Sequence, residues 1–528
     1  ERFTRRKHEA AFPAQAIGYC LETAGLKNGR IDAVVFYEKP VLKFARILET
    51  YMAVAPRGVT SFVTAMPAWL KKKLWTPMVL EETLLDCGVR ACPPLYFSPH
   101  HEAHAASAFL PSPYRNAAIL TVDGVGEWTT TALARGHGNH LEMLREMRFP
   151  HSLGLLYSAF TYFTGFEVND GEYKLMGLAP YGEPRYVDRI LEHLVDLKQD
   201  GSFRLNLRFF GFLDSLRMTN KRFAQCFDGP PRRPEAQITR RELDLACSVQ
   251  KVTEMILLRM VRHLHDLTGE RRLCLAGGVT LNSVANGRIL REGPFKDLWI
   301  QPAAGDAGGA LGAALLLWHH LLDHPRPADD RHDRMQGACL GPEFTDREIG
   351  EFVKTLDHKA IRLDGATWAA TIAERVRDGC VVGLFQGRME YGPRALGNRS
   401  IVADARAPHM QSRLNLHIKR RESFRPFAPV CLESRMHDYF DLDRPSPYML
   451  LVAPVKTGRR KSVPPCDDPL ERIHQVRSDI PAVTHVDFSA RVQTVDRATS
   501  PRMHALLRAF ESLTGEALLL NTSFNMRG

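Results

Sequence analysis

Short apolar runs alternate with amphipathic stretches along most of the chain. IDAVVFYE (31–38), AAILTVDG (117–124), RLCLAGG (272–278) and CVVGLFQG (380–387) are compact apolar runs that end in turns, most of them glycine-containing. That is the pattern of buried strands. Between them, 11–25, 241–267 and 309–322 place apolar residues at helical spacing. Strands and helices in alternation predict an α/β fold. No repeat of solenoid period interrupts the order.

Two stretches break the pattern. DGPPRRPEAQ (228–237) reads as a loop excursion, and HHLLDHPRPADDRHDRMQG (319–337) is polar, Pro-containing and aperiodic. The second is expected to divide the chain into domains at 1–325 and 336–528. A third polar stretch, KTGRRKSVPPCDDP (456–469), reads as a surface loop. At 528 residues the chain exceeds what one core fills, which agrees with a division into domains. No window offers about 18 uninterrupted apolar residues, so no membrane span is expected. The 10 cysteines include no C-x-x-C pair, and several lie inside apolar runs. Buried thiols in a reducing cytoplasm fit this better than a disulfide framework. The net charge of +10 points to an anionic partner if the basic residues cluster.

SPHHEAHAASAF (98–109) opens with Ser98 as an expected N-cap and Pro99 as the first helical residue. On that helix His100 and His104 stand one turn apart and share a face, while His101 points elsewhere. Asp123 ends the strand AAILTVD, and Asp306 follows a short strand in QPAAGDAGGA. Two imidazoles and two carboxylates suit Fe(II), Mn(II) or Zn(II). Spacing alone leaves metal binding and plain helix packing both open.

TVDGVGEWTTT (121–131), LAGGVTLNS (275–283) and GDAGGALGAA (305–314) each set glycines at a strand end. Gly124, Gly126, Gly277, Gly278 and Asn282 are the candidate nucleotide-binding positions, since backbone N–H groups and helix N-termini cradle phosphates. Three such turns resemble the phosphate and adenosine loops of the actin, hexokinase and Hsp70 ATPase fold.

The second half gathers cations. GRMEYGPRALGNRSI (387–401) carries Arg388, Arg394 and Arg399, and LNLHIKRRESFRPFAPV (414–430) carries Lys419, Arg420, Arg421 and Arg425. Arg491, Asn521, Ser523 and Asn525 follow strand-like runs. Arginine binds phosphate bidentately. Compact Gly- and Pro-bounded loops favour a small anion over the rival reading, RNA or DNA.

Taken together, these strings and SLGLLYSAFTYFTGF, GEYKLMGLAPYG, ARVQTV and NTSFN resemble the NodU/CmcH family of O-carbamoyltransferases, over nearly the whole chain and in one order. GEYKLMGLAPYG and YGPRALGNRSI are the most specific. The resemblance implies an actin/Hsp70-like (ASKHA) ATPase-type N-terminal domain, similar to the transferase that makes threonylcarbamoyladenosine on tRNA. It implies a YrdC-like C-terminal α/β domain. His100, His104, Asp123 and Asp306 fall on the family's iron ligands. Arg394, Lys419 and Arg425 fall on its carbamoyl phosphate and ATP clamp, with Arg421, Arg491 and Ser523 beside them. Lys7 falls in its acceptor-side site. Lys174 reads equally as a phosphate partner or a helix cap. The family carries a hairpin with a His-Asp pair ahead of ERFTRRKH. This chain begins after it and stops just past NTSFN, so it is expected to be a piece cut at both ends that lacks part of the transfer site.

The implied activity is ATP-dependent (with Mg2+): carbamoyl phosphate and ATP give carbamoyl adenylate, whose carbamoyl group passes to a hydroxyl acceptor. One divalent metal, Fe2+, is expected, with no membrane or nucleic-acid partner; a homodimer stays open. A tRNA threonylcarbamoyladenosine-type transferase and an ASKHA-type kinase are the alternatives. The acceptor-facing loops are expected in 38–90 and 201–237.

Overall fold

The computed structural model describes residues 3–526 apart from 7, 8, 10, 27–29, 72, 90–92 and 366. Two mixed sheets organise it. In the first, β1 (Asn116–Val122), β2 (Thr129–His137), β3 (His140–Arg148), β4 (Arg272–Ala276) and β5 (Asp297–Ile300) lie in the order β3-β2-β1-β4-β5. β1 is antiparallel to β2 but parallel to β4, which is parallel to β5. The apolar runs AAILTV and RLCLA are thus central strands buried on both faces, and β3, polar and mostly exposed, is the edge. A smaller parallel pair, Val34–Phe36 with Leu95–Phe97, brackets three helices between residues 40 and 86.

The second sheet contains β6 (Val382–Phe385), β7 (Arg399–Ala403), β8 (Ala428–Leu432), β9 (Leu451–Pro454), β10 (Ser489–Val495) and β11 (Leu518–Ser523), in the order β6-β7-β11-β8-β10-β9. Only β8 and β10 pair in parallel. The mixed α/β architecture agrees with the alternation of periods in the sequence.

Four helices position the first half's chemistry. α1 (His100–Phe109) is buried almost throughout. α2 (Arg240–Thr268) starts at a reciprocal Thr239–Glu242 capping box and stops at Gly269 with φ +64°, the left-handed cap that glycine adopts without strain. α3 (Ser283–Glu292) and α4 (Gly309–Leu315) follow β4 and β5. A Cβ on Gly312 of α4 would lie 1.8 Å from the Ala103 carbonyl oxygen of α1. Gly312→Ala must therefore push α1 away, and overpacking of this kind costs about 1–3 kcal/mol. A lowered urea midpoint is the expected readout.

The halves share one apolar core that runs from Phe109, Ile119 and Leu275 through Leu178 and Tyr181 to Phe424, Phe427 and Val492. The polar stretch 319–337 is fastened down. Arg326 donates to the carbonyls of Leu110, Gly138, Ser112 and Tyr114. Asp333 accepts from Trp299 of the first sheet and from Tyr448 of the second half. Among the described residues no helix is long and apolar enough to cross a membrane.

Candidate functional site

The His100 and His104 rings, one turn apart on α1, are both buried, with Nε2 atoms 3.1 Å apart. Asp123, just past β1, sets Oδ2 3.2 Å from His100 Nε2 and 3.7 Å from His104 Nε2. Asp306 brings Oδ1 to 3.6 Å from each. All four donor atoms lie within 4.8 Å of one another. For metal–ligand bonds of about 2.0–2.2 Å, donors around one ion stand roughly 3–3.6 Å apart. The donor set and spacing therefore fit a divalent ion. Asp306, 60% exposed, marks the open side. Burial works against the His104 cation, but Asp123 and Asp306 outweigh it and push its pKa up to about 9. Burial likewise favours the acid form of Asp123, yet hydrogen bonds from His100 and His104 hold it well below the carboxylate range. His101 bonds Thr121 Oγ1 at 2.7 Å. Burial, then the neighbouring imidazoles, holds it neutral with a pKa of about 3.

The cradle is close-fitting. A Cβ on Gly126 would meet the His100 side chain at 2.9 to 3.1 Å. Gly278 N–H donates to Asp123 Oδ1 at 2.9 Å. Ser98 does not cap α1. Its hydroxyl turns back to the Phe36 carbonyl, and Pro99 is the N-cap residue, without a side-chain cap. The buried Glu127 carboxylate takes over, accepting from His100 N–H at 3.1 and 3.2 Å and from Lys39 N–H at 2.7 Å. An anion there also favours the helix dipole. Glu127→Ala is expected to cost about 1 kcal/mol of stability, as loss of a cap does, and roughly 10–100-fold in metal affinity, as loss of an outer-shell partner does. Glu127→Gln, which keeps an acceptor, recovers part of both when metal titration and thermal melting are compared.

Arg394, Lys419, Arg421, Arg425 and Arg491 converge in the second site. Burial, then the charges of Arg394, Arg421 and Arg425, forces the Arg491 pKa far down. Burial also lowers Arg394 to about 10 and, helped by Arg425, Arg421 to about 9. The Nε atoms of Arg394 and Arg491 are buried without a hydrogen-bond partner. Lys419 Nζ is held by Asn525 O at 2.9 Å, Asn525 Oδ1 at 3.0 Å, Ser523 Oγ at 3.3 Å and the Ser523 carbonyl. Arg425 lies over the Tyr173 ring at 4.8 Å and is 3.5 Å from Glu422, which also pairs with Lys174 at 3.2 Å. Lys174 thus stands beside the cluster, paired with Glu422. Among the described residues, Glu422 is the carboxylate that pairs with this cluster. Buried cations in such excess cost several kcal/mol unless an anion joins them.

The remaining expected positions divide. Arg388 and Arg399 are occupied by backbone carbonyls, Arg399 also stacking on Phe385 at 3.7 Å, and Arg420 is exposed. None of the three joins the cluster. Asn521 ties the Arg394 loop through Ala395 O at 3.1 Å. Gly124 faces open space, whereas Gly277, at φ +94°, abuts the Val122 carbonyl. Asn282 caps α3 and bonds Gln250, which in turn accepts from Tyr157. One loop joins both sites: Gly278 holds Asp123, and Leu281 O accepts from Arg394 at 3.2 Å. Lys7 lies outside the described residues. Glu127 and Tyr173 went unassigned although each sits inside a quoted motif. A carboxylate four residues past the strand-end Asp was a readable signal for the first.

Residues 1–315 match the family model described as Carbamoyltransferase N-terminus, and residues 373–528 match that described as Carbamoyltransferase C-terminus. The chain belongs to the carbamoyltransferase family. This carbamoyltransferase is 55% identical to an uncharacterized protein of Synechocystis sp., over 100% of this chain and 87% of the relative. It is 37% identical to the nodulation protein NolNO of Sinorhizobium fredii, over 99% and 71%, and 37% identical to NolO of Bradyrhizobium diazoefficiens, over 81% and 72%. A crystal structure of T. kodakarensis HypF aligns with 46% of this chain and 38% of that one at 14% identity, with a TM-score of 0.23, too low to bear on the fold.

Lys419 offers a pH test of the carbamoyltransferase's cationic cluster. Burial, then Arg421 and Arg425, lowers its pKa from 10.5 to about 7. The folded state thus disfavours the ammonium. The resulting penalty is fully present below about pH 7 and is relieved as pH rises toward 10.5. A bound phosphate reverses the shift, so inorganic phosphate binding at pH 8 is expected to take up a proton. Calorimetry in buffers of different ionisation enthalpy reads this uptake, and Lys419→Met abolishes it.

Proposed function

We propose that this carbamoyltransferase is an ATP-dependent O-carbamoyltransferase that activates carbamoyl phosphate in the second half (336–528, YrdC-like) and transfers the carbamoyl group in the first (1–325, ASKHA-type). The observation that carries this reading is the cluster of Lys419, which is buried, with Arg394, Arg421, Arg425 and Arg491, which are half-buried; among the described residues Glu422 is the carboxylate that pairs with it. Carbamoyl phosphate and MgATP are the anions it would receive. Carbamoyl phosphate loses phosphate to water, and the carbamate oxygen attacks the α-phosphorus of ATP. The bond to the β-phosphate oxygen breaks, leaving carbamoyl adenylate and pyrophosphate. Arginine forks and the Lys419 ammonium neutralise charge gathering on the phosphoryl oxygens.

In the second step a hydroxyl of a small-molecule or glycan acceptor attacks the carbamoyl carbon, and AMP leaves. His100, His104, Asp123 and Asp306 would hold one divalent ion, Fe2+ on the family resemblance. Bound there, it supplies a Lewis acid for a phosphate or carbonyl oxygen. The protein's own contribution is orientation: Glu127 fixes the start of α1, and Gly278 fixes Asp123. The loop that touches both Asp123 and Arg394 supports a handover between the halves.

The test supplies ATP and carbamoyl phosphate and follows products by mass spectrometry. AMP and pyrophosphate are expected. ADP without pyrophosphate would favour the kinase reading. Turnover that requires tRNA, threonine and bicarbonate in place of carbamoyl phosphate would favour the tRNA-modifying one.

A further inference from the structure

The first half contains a cavity of about 870 Å³, within the size range of small-molecule sites. Its walls come from residues 49–57 and 207–222, the two stretches in which the sequence shows no motif, and from Trp128 and Phe149–Pro150. We propose that this cavity receives the acceptor and that the acceptor is an anionic glycan.

Three observations carry the assignment, which rests on the two-step reading above. The first is placement. Arg46 donates to the Gly126 carbonyl at 3.0 Å and stacks on Phe149 at 5.0 Å, and Gly126 abuts the His100 ring. Trp128 is two residues on from Gly126, at most about 7 Å of extended chain. Phe149 and Pro150 lead directly to Ser152, whose hydroxyl holds the carbonyls of Asp123 and Gly124. Two loops, 126–128 and 149–152, thus run from the cavity wall to the cradle of the cluster.

The second is surface chemistry. Trp128 and Phe149, both half-buried on the wall, give flat apolar faces, against which the C–H face of a sugar ring packs while its hydroxyls stay free. The third is charge. Arg57 is paired with Asp214 at 3.2 Å. Arg208, Lys221 and Arg222 form no ion pair among the described residues, and Glu49 is the one other carboxylate on the wall. The lining is thus cationic in excess and suited to a carboxylate or sulfate on the sugar.

Isothermal titration of the whole protein with tetragalacturonate, and with maltotetraose as the neutral counterpart, tests this. The acidic oligosaccharide is expected to bind, and the neutral one at least tenfold more weakly. Arg208→Glu with Lys221→Glu is expected to weaken tetragalacturonate binding at least tenfold. Thr50→Trp, which fills the cavity without changing a charge, is expected to do the same. Equal binding of the two sugars, no binding of either, or affinity unmoved in both variants overturns the assignment. Pyrophosphate release from ATP by the unaltered protein is measured alongside. Its absence counts against the two-step reading, whereas release without sugar binding counts against the cavity alone.

Discussion

Arg394→Ala is expected to lower carbamoyl-phosphate-dependent pyrophosphate release from ATP by roughly 10²–10³-fold, the loss seen when one preorganised donor to a developing charge is removed. The side chain is half-buried, its Nε is buried without a partner, and one Nη2 bond, to Leu281 O, holds it in the cluster. Its removal takes away charge and fork geometry together and frees the loop that also carries Gly278. Arg394→Lys restores the charge without the fork, so it is expected to recover only part of the rate. Full activity in Arg394→Ala would show that the cluster does not hold the reacting phosphates.

His104→Ala is expected to separate the two steps. Its Nε2 lies 3.1 Å from His100 Nε2 and 3.6 Å from Asp306, so truncation removes one of four converging donors. Metal affinity is expected to fall by more than the roughly 10–100-fold that follows loss of an outer-shell partner. Carbamoyl transfer to an acceptor is expected to stop, while pyrophosphate release in the second half continues. The half-buried Asp123 loses a hydrogen-bond donor, so its pKa moves up as desolvation dictates. Loss of both steps together would mark the His pair as structural.

Much of this was legible in the chain because buried strands and glycine turns leave strong local signals. AAILTV and RLCLA read as central strands because both faces are apolar. The i, i+4 His pair followed from helical periodicity. The Ser98 cap failed because a carboxylate 29 residues later reaches the His100 N–H at the start of the helix, a tertiary contact that propensity does not encode. Arg388 and Arg399 looked equivalent to Arg394 in sequence. Folding turns them onto backbone carbonyls and leaves Arg394 with Nε unpaired. Glycine pairs carry a similar ambiguity. Gly277 serves close packing against Val122, whereas Gly124 faces open space. Charge density along the chain named the right loops, but only the hydrogen bonds made on folding distinguish the cations that lack partners from those that tie the fold together.

The most direct test of the central claim is an isotope transfer. Carbamoyl phosphate carrying heavy oxygen in its carbonyl group is incubated with ATP, the protein and a hydroxylated acceptor, and the AMP is examined by mass spectrometry. The two oxygens of the freed carbamate are equivalent, so attack on the α-phosphorus places the heavy one in the adenylate bridge in about half of the molecules, and it leaves with AMP when the acceptor attacks carbon. The account predicts heavy oxygen in the AMP phosphate. Carbamoylated acceptor formed with unlabelled AMP, or with no AMP at all, would contradict it.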